Sequence, residues 1–339
     1  MDLINNRTER EGWGPIEVRV EASHHDRKKR GAFYTPWDIA VSLCEAVVSA
    51  RPTHQWSRLL ESELVVGDPF SGVGILIAAL IERLAVLASP GSDSLRRHLL
   101  TNLVGFDLEG GTLEEARRLL VNGLPVEERA RAGKALRLHR VDTLLTPADE
   151  LCGLTAAEDQ GRGFDVLVSN PPWEKVRVND REFFSHYRDD FSRLGRAQRL
   201  DEKARLLSDA GIATAYATYQ DNVRKLKSAA KLRYRSSAAG GDIDTYKLAV
   251  ERAIELLAPG GIAGLIVPHG VLGDWGARKL RELMLDEVLI HKIVRFETGP
   301  ELFPEIHANL GIVFLVFSKP DNDTQTTASQ AKDHLSSTC

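Results

Sequence analysis

The chain has 339 residues, 43% hydrophobic, 27% charged and 6% aromatic, with 44 basic against 48 acidic side chains and a formal charge of −4. No apolar run approaches the ~20 residues that cross a bilayer, the N-terminus lacks a signal-peptide core, and three scattered cysteines (Cys44, Cys152, Cys339) form neither a disulfide framework nor a zinc pair. A cytoplasmic protein with no membrane partner and no metal site is expected; its charge excludes indiscriminate nucleic-acid binding but leaves room for a local basic face.

Residues 1–30 are polar and end in Arg27-Lys28-Lys29-Arg30, the composition of an unfolded arm. Thr35 and Pro36 start a helix from about Trp37 to Ala50, with Ile39, Leu43, Ala46 and Val47 on one face. From Leu64 short apolar runs alternate with helical periodicity. Strands are expected at Leu64–Gly67, Leu103–Phe106, Ala135–His139, Phe164–Ser169, Ile262–Val267, Ile290–Phe296 and Ile312–Phe317. Helices are expected at Gly74–Leu87, Leu113–Val121 and Tyr246–Leu257, the last closed by Pro259-Gly260-Gly261. Such alternation specifies an α/β domain with a mainly parallel sheet covered on both faces.

One stretch breaks the pattern. Arg177–Arg235 reads as helical and carries 14 Lys/Arg against 8 Asp/Glu, and Val223–Arg235 has six basic residues and no acidic one. An insertion of this size is more often functional than idle; its basic face is either simply solvated or a contact for a nucleic-acid backbone. The expected plan is an arm at 1–30, one catalytic domain at 31–318 with a helical insertion at about 177–240, and an unfolded tail at 319–339.

Val65-Val66-Gly67-Asp68-Pro69-Phe70-Ser71-Gly72-Val73-Gly74 leaves a strand through a glycine-rich turn and enters a helix. Gly72 and Gly74 let backbone approach a ligand at a helix N-terminus with free N–H groups. The spacing does not fit the dinucleotide fingerprint. Asp68, followed by Pro69, suits instead a ligand carrying positive charge. Two further acids end the next strands: Asp107 can accept from two ribose hydroxyls, and Asp142 can accept from the exocyclic amine of a bound base.

The most specific segment is Asp165-Val166-Leu167-Val168-Ser169-Asn170-Pro171-Pro172-Trp173, which leaves the fourth strand at the carboxyl edge of the sheet. With the Asp68 loop and with Gly31-Ala32-Phe33-Tyr34-Thr35-Pro36 upstream, it resembles the DNA adenine-N6 methyltransferases of the γ arrangement. The nearest variety is the methylase portion of type IIG restriction–modification and related phage-defence enzymes. Trp173-Glu174, Gly241-Asp242-Ile243-Asp244-Thr245-Tyr246, and Pro259-Gly260-Gly261 leading to Ile266-Val267-Pro268 follow that family's order. Phe296-Glu297-Thr298 and Phe303-Pro304-Glu305-Ile306-His307 match its late part, while Asp244 stands where the family more often has Asn. The resemblance covers about Arg30 to Lys319.

It implies a class I S-adenosylmethionine-dependent methyltransferase fold: a Rossmann-like, mostly parallel seven-stranded sheet with helices on both faces and a helical insertion after the fourth strand. S-adenosylmethionine is the implied cofactor, held by Asp68, Pro69, Gly72, Gly74, Asp107 and Asp142. Tyr34 and Thr35 are expected to close over its methionine end, with Phe33 and Pro36 beside them. The lone pair of adenine's exocyclic amine is delocalised into the ring. The Asn170 oxygen and the Pro171 carbonyl, held by the fixed φ of proline, would accept from its two N–H bonds. Pro172 completes the turn, and Trp173 offers a face for a base taken out of the duplex.

Asn-Pro-Pro loops also serve methyltransferases acting on protein glutamine or RNA, which normally carry Tyr or Phe after the prolines and lack the upstream Phe-Tyr-Thr-Pro element. A non-catalytic DNA-binding or interaction subunit is a third reading, opposed by intact Asn170 and Pro171. His269 and His307 read as structural. The expected partners are double-stranded DNA with a flipped adenine and a separate specificity or nuclease subunit. That subunit is expected because only 22 polar residues follow Phe317 and base readout needs many side chains in a groove.

Overall fold

The computed structural model describes residues 35–60, 64–87, 93–155, 163–240, 242–296 and 311–321. Within them β1 (Val66–Asp68), β2 (Leu103–Asp107), β3 (Arg137–Arg140), β4 (Phe164–Ser169), β5 (Leu257–Pro268), β6 (Leu289–Phe296) and β7 (Ile312–Ser318) form one sheet in the order β3-β2-β1-β4-β5-β7-β6. Strands β1 to β5 pair in parallel, and β7 runs antiparallel between β5 and β6. Strand order reverses at the β1/β4 boundary. The loops leaving those two strands therefore diverge and open a crevice at the carboxyl edge, where open α/β sheets bind ligands.

The helices are α1 (Trp37–Val48), α2 (Thr53–Leu60), α3 (Ile75–Leu87), α4 (Asp93–Thr101), α5 (Gly110–Val121), α6 (Val126–Ala135) and α7 (Ala148–Gly153) before or between the first four strands. Then come α8 (Asp180–Ser185), α9 (Arg196–Leu207), α10 (Ala210–Arg233), α11 (Thr245–Leu256), α12 (Gly270–Gly273) and α13 (Arg278–Glu287).

Two cores cover the two faces of the sheet, and the pleat decides which residue serves which. Along β4, Val166 and Val168 join Leu43, Val47, Ile77 and Leu80 on one side, whereas Phe164 and Leu167 join Tyr246, Val250 and Leu280 on the other. All seven residues of β7 are buried. Each such aliphatic side chain contributes about 1.5–3 kcal/mol by leaving water. Helix α1 lies so close to β5 that a Cβ at Gly264 would stand 2.3 Å from Val47 Cγ2.

The expected strands are present with ends shifted by a residue or two, except that β5 begins at Leu257, five residues before the expected Ile262. Pro259-Gly260-Gly261 is a correction: it is not a helix-closing turn. Helix α11 stops at Leu256 and β5 begins at once, so the three residues form a bulge within the strand, opposite the step from Phe164 to Val166. The bulge is satisfied rather than broken. Gly260 N–H donates to Lys319 O at 3.1 Å, Lys319 N–H donates to Gly261 O at 2.9 Å, and the Arg51 guanidinium donates to Gly260 O. Helices α2, α4, α6 and α13 were not anticipated, being short and rich in charge.

Residues 180–233 form α8, a 3-10 turn at Phe191–Arg193, α9 and the 24-residue α10. Phe184, Phe191, Leu206 and Tyr216 make a core of their own there, flanked by Phe183 and Tyr219. Asp180 accepts from the Tyr216 hydroxyl and, at 2.7 Å, from Lys203 Nζ. Among the described residues no helix is long and apolar enough to cross a membrane, and no His/Cys/Asp/Glu group could hold a metal. The arm at 1–30 and the tail from 322 lie outside the described residues.

Candidate active site

The loop after β1 is tied to the ends of the three strands around it. Ser71 donates from its amide (2.8 Å) and its hydroxyl (3.2 Å) to Phe106 O at the end of β2. Gly72 N–H donates to Asp107 Oδ2 at 3.0 Å. The buried Thr143 hydroxyl, just after β3, donates to Pro69 O at 2.5 Å. Gly72 and Gly74 sit at φ +51° and +82°, conformations that side-chain-bearing residues rarely adopt, and a Cβ at Gly74 would also crowd Ala116 of α5 at 3.2 Å.

Asp68 is 1% exposed, and its Oδ1 accepts from Phe70 N–H at 2.8 Å and from the Ser169 hydroxyl at 2.5 Å. Burial pushes this carboxyl from 3.8 up to about 7, against the pull of those two donors. It is thus a buried acid with hydrogen bonds and, among the described residues, no ion pair. Burial also raises Asp107, whose Oδ1 accepts from Glu109 N–H at 2.8 Å; the Glu109 and Gly72 amides oppose the rise. Asp142 Oδ1 accepts from Leu144 and Leu145 N–H at 2.9 and 3.0 Å, capping the turn after β3.

Asn170 leaves β4 beside this loop. Its Nδ2 donates to the hydroxyl of Thr35 at 3.1 Å, whereas its Oδ1 is buried with no hydrogen-bond partner among the described residues. Leaving a buried amide oxygen without a partner is costly. Pro172 O and Glu174 O both accept from the Thr245 hydroxyl, at 2.8 and 3.0 Å, and Thr245 N–H donates again to Glu174 O. Trp173 Nε1 donates to Ile266 O at 3.3 Å, fixing the indole against both cores.

Thr35, Asp68, Gly72 and Asn170 line one cleft with Phe70, Ser71 and Thr112. Pro69 and Asp107 are tied to its loop through the bonds above, whereas Gly74 and Asp142 are not among its lining residues, and Asp142 caps the turn after β3. Pro36 stands just before α1, and Pro171 is buried behind Asn170. Phe33 and Tyr34 lie outside the described residues, as do His307 and residues 297–306. Sequence reasoning missed Thr112, Thr143, Ser169 and Thr245. Thr112 lines the cleft, and the hydroxyls of Thr143, Ser169 and Thr245 act on carbonyls or a carboxylate far away in the chain, which no local pattern announces. Asp244, the departure from the family pattern, forms a buried pair with Lys247 at 2.6 Å.

A family model described as Eco57I restriction-modification methylase matches residues 216–303, less than half of the chain. No curated protein sequence matches it significantly. Similar solved structures include a nuclease-deletion mutant of the type ISP restriction-modification enzyme LlaGI with a DNA substrate mimic, at 15% identity and TM-score 0.54, covering 86% of this chain and 23% of that one. Others are the DrdV–DNA complex (16%, 0.53, covering 88% and 27%) and the ATP-dependent type ISP enzyme LlaBIII bound to DNA (13%, 0.53, covering 86% and 19%). The chain thus spans about a quarter or less of these neighbours' length. Its strand order, with β7 alone reversed, is the fold of the class I S-adenosylmethionine-dependent methyltransferases.

Proposed function

We propose that the chain is the catalytic domain, residues 31–318 with a helical insertion at 177–240, of a γ-type DNA methyltransferase working in a restriction–modification or phage-defence system. Its substrate is adenine N6 of a base flipped out of double-stranded DNA, and a separate specificity or nuclease subunit is its partner. The observation that carries this reading is the buried, unpartnered Oδ1 of Asn170, beside a cleft floored by a buried, unpaired carboxylate.

The cleft fits S-adenosylmethionine on chemical grounds. Asp68 lacks the positive charge that would keep it ionised, Gly72 leaves backbone open to a ligand, and Asp107 and Asp142 retain acceptor capacity beyond the amides they bind. When bound, the cofactor supplies an electrophilic methyl group. The chain's own part is to make the acceptor nitrogen available. Asn170 Oδ1 and the Pro171 carbonyl accept from the two N–H bonds, so the nitrogen lone pair leaves conjugation as the bond forms. Thr35 holds the other end of the Asn170 amide. Trp173, anchored through its N–H, offers a ring of fixed orientation to the flipped base. No general base is needed before transfer; position and electrostatics carry the step.

Helix α10 supports a DNA partner. Val223, Leu226 and Ala230 pack inward, while Arg224, Lys227 and Lys231 are exposed at a spacing that puts them on one stripe. Such a stripe suits phosphates spaced along a groove.

The test is incubation of the purified chain, with and without its genomic neighbours, with tritiated cofactor and unmethylated DNA, RNA or protein. Label in DNA adenine, lost at least a hundredfold in Asn170→Ala with the fold intact, is expected. Label confined to RNA or protein, or an Asn170→Ala chain as active as the native one, removes the proposal.

A further inference from the structure

Arg252 is 0% exposed at the centre of α11 and takes no part in the chemistry above. Each nitrogen of its guanidinium nonetheless has a partner: Nε donates to the Tyr234 hydroxyl at 3.0 Å, one terminal nitrogen to Leu144 O at 3.2 Å, and the other to Glu255 at 2.8 Å. Tyr234, where α10 ends, donates its own hydroxyl to the same Leu144 O at 2.7 Å. Arg233 beside it donates to Leu145 O at 2.8 Å and also to Thr146 O. Every carbonyl from Leu144 to Thr146 is therefore gripped by a side chain from α10 or α11. This is the turn that Asp142 caps from the other side through the Leu144 and Leu145 amides.

The same helix holds the other half of the site at its first residue, where the Thr245 hydroxyl bridges Pro172 O and Glu174 O. Thr245 and Arg252 are seven residues apart, about 10 Å along the helix axis at 1.5 Å per residue. Between them α11 is buried nearly throughout, so the rod cannot shift without opening the core. Leu144, Val176, Tyr234, Ile243 and Leu248 form one apolar cluster against it, with Phe70 of the Asp68 loop packed alongside.

We infer that α11 is the positioning element of the site, with Arg252 and Tyr234 placing the base-binding turn of Asp142 and Thr245 placing the Asn170–Trp173 loop. The roles assigned to those two loops rest on the proposed function; the grip itself does not. Burying a guanidinium is unfavourable unless it is well hydrogen-bonded. Here each nitrogen has a partner, and one of them grips the turn that carries Asp142 together with the Tyr234 hydroxyl that another one contacts. The grip from α10 also ties the basic stripe of that helix to the cofactor side of the cleft.

Two conservative variants separate the ends of the rod. Tyr234→Phe removes one hydroxyl and keeps the ring; Thr245→Val removes one hydroxyl and keeps the shape. In the free chain, amide exchange at residues 143–146 is expected to quicken in Tyr234→Phe but not in Thr245→Val, and at residues 173–176 the reverse. With S-adenosylhomocysteine in a calorimeter, Tyr234→Phe should bind about three- to tenfold more weakly, the loss expected of one buried hydrogen bond, while its methylation rate at saturating cofactor stays within twofold. Thr245→Val should bind that ligand as the native chain does and lose about tenfold in rate, with Thr245→Ser restoring it. If Tyr234→Phe does not fold, Arg233→Gln, at a half-buried position, asks the same question of Leu145 and Thr146. Exchange that quickens in both loops or neither, or binding and rate that fall together in both variants, overturns the inference. A native chain that shows the exchange pattern but binds no cofactor and methylates nothing overturns the proposed function alone.

Discussion

The sheet and the helical insertion bury their side chains in different ways. Around the sheet the interior is aliphatic and extensive, with residues such as Leu43, Ile77, Val166 and Phe314 at or near zero exposure on β1, β2, β4, β5 and β7 and on the helices against them. In the insertion only Phe184, Phe191, Leu206 and Tyr216 are buried together; the rest is ring-on-ring contact with Phe183 and Tyr219, and charge pairing such as Glu202 with Arg188 and Arg205 at 2.9 and 2.6 Å. A large aliphatic core defines rigid strand ends and so places loops accurately. A small aromatic core stabilises a compact outgrowth without setting the geometry of the cleft. The insertion meets the rest of the domain along the seam of α10, where Val223, Leu226 and Ala230 pack inward and Arg233 and Tyr234 bond the turn after β3.

The most severe test of this difference is Phe184→Ala. Truncating a fully buried ring costs about 3–5 kcal/mol, and amide exchange is expected to rise through residues 180–219 while strands β1, β4 and β5 keep their protection. Equal loss of protection in the sheet would make the two regions a single cooperative unit. Next in size is a difference in pH response. Asp68, raised to about 7 by burial, binds its proton more tightly when folded. The folded state is therefore favoured at low pH and loses stability, by up to about 1.4 kcal/mol per pH unit, as pH rises between 3.8 and 7. Glu202 behaves oppositely: Arg205 and Arg188 hold it down to about 2, so its contribution is present above 4.5 and is lost as pH falls toward 2. Melting curves from pH 3 to 8 should show Asp68→Asn flattening the decline as pH rises from 3.8 to 7 and Glu202→Gln flattening the decline as pH falls below 4.5. A cationic ligand at Asp68 should bind about tenfold more tightly for each pH unit gained below 7.

A smaller effect is expected from Ile77→Val, about 0.5–1.5 kcal/mol. It should appear as a lower midpoint for the whole sheet domain and leave the insertion's local exchange unchanged. Smallest of all is Asp221→Ala, which breaks the exposed pairs with Arg224 and Lys225 at 3.3 and 2.8 Å. Stability should move by no more than about 0.5 kcal/mol. A larger change in urea denaturation would mean that α10 depends on its surface charge as the sheet does on its core.

The same contrast governs what could be read in the sequence. Strands buried on both faces are continuous apolar runs, so Phe164–Ser169 and Ile312–Phe317 stood out, and the acids that follow such runs (Asp68, Asp107, Asp142) were singled out with them. Asn170 was singled out because Asn-Pro-Pro-Trp leaves a strand at the carboxyl edge of the sheet and resembles a methyltransferase loop. Pro259-Gly260-Gly261 misled because local chemistry says "turn", whereas Lys319 and Arg51, from opposite ends of the chain, satisfy it as a bulge. The insertion announced its helicity and charge but not its core, since aromatic pairs such as Phe183 and Tyr219 have no sequence period. Thr143, Thr245 and Arg252 were invisible for a related reason: each acts on a carbonyl 70 or more residues away.

The place of β7 has a consequence for the order in which the molecule can be made. It follows β6 in the chain, yet it lies between β5 and β6 and is, among the described residues, the neighbour of β6 in the sheet. Until residues 312–318 emerge, the apolar edge of β5 stays open and β6 has nothing to pair with, a state that invites association with other nascent chains. The cleft is assembled from Thr35 at one extreme and the β5-supported Trp173 anchor at the other. A chain still being translated therefore carries every residue of the cleft for some time before it carries a finished site.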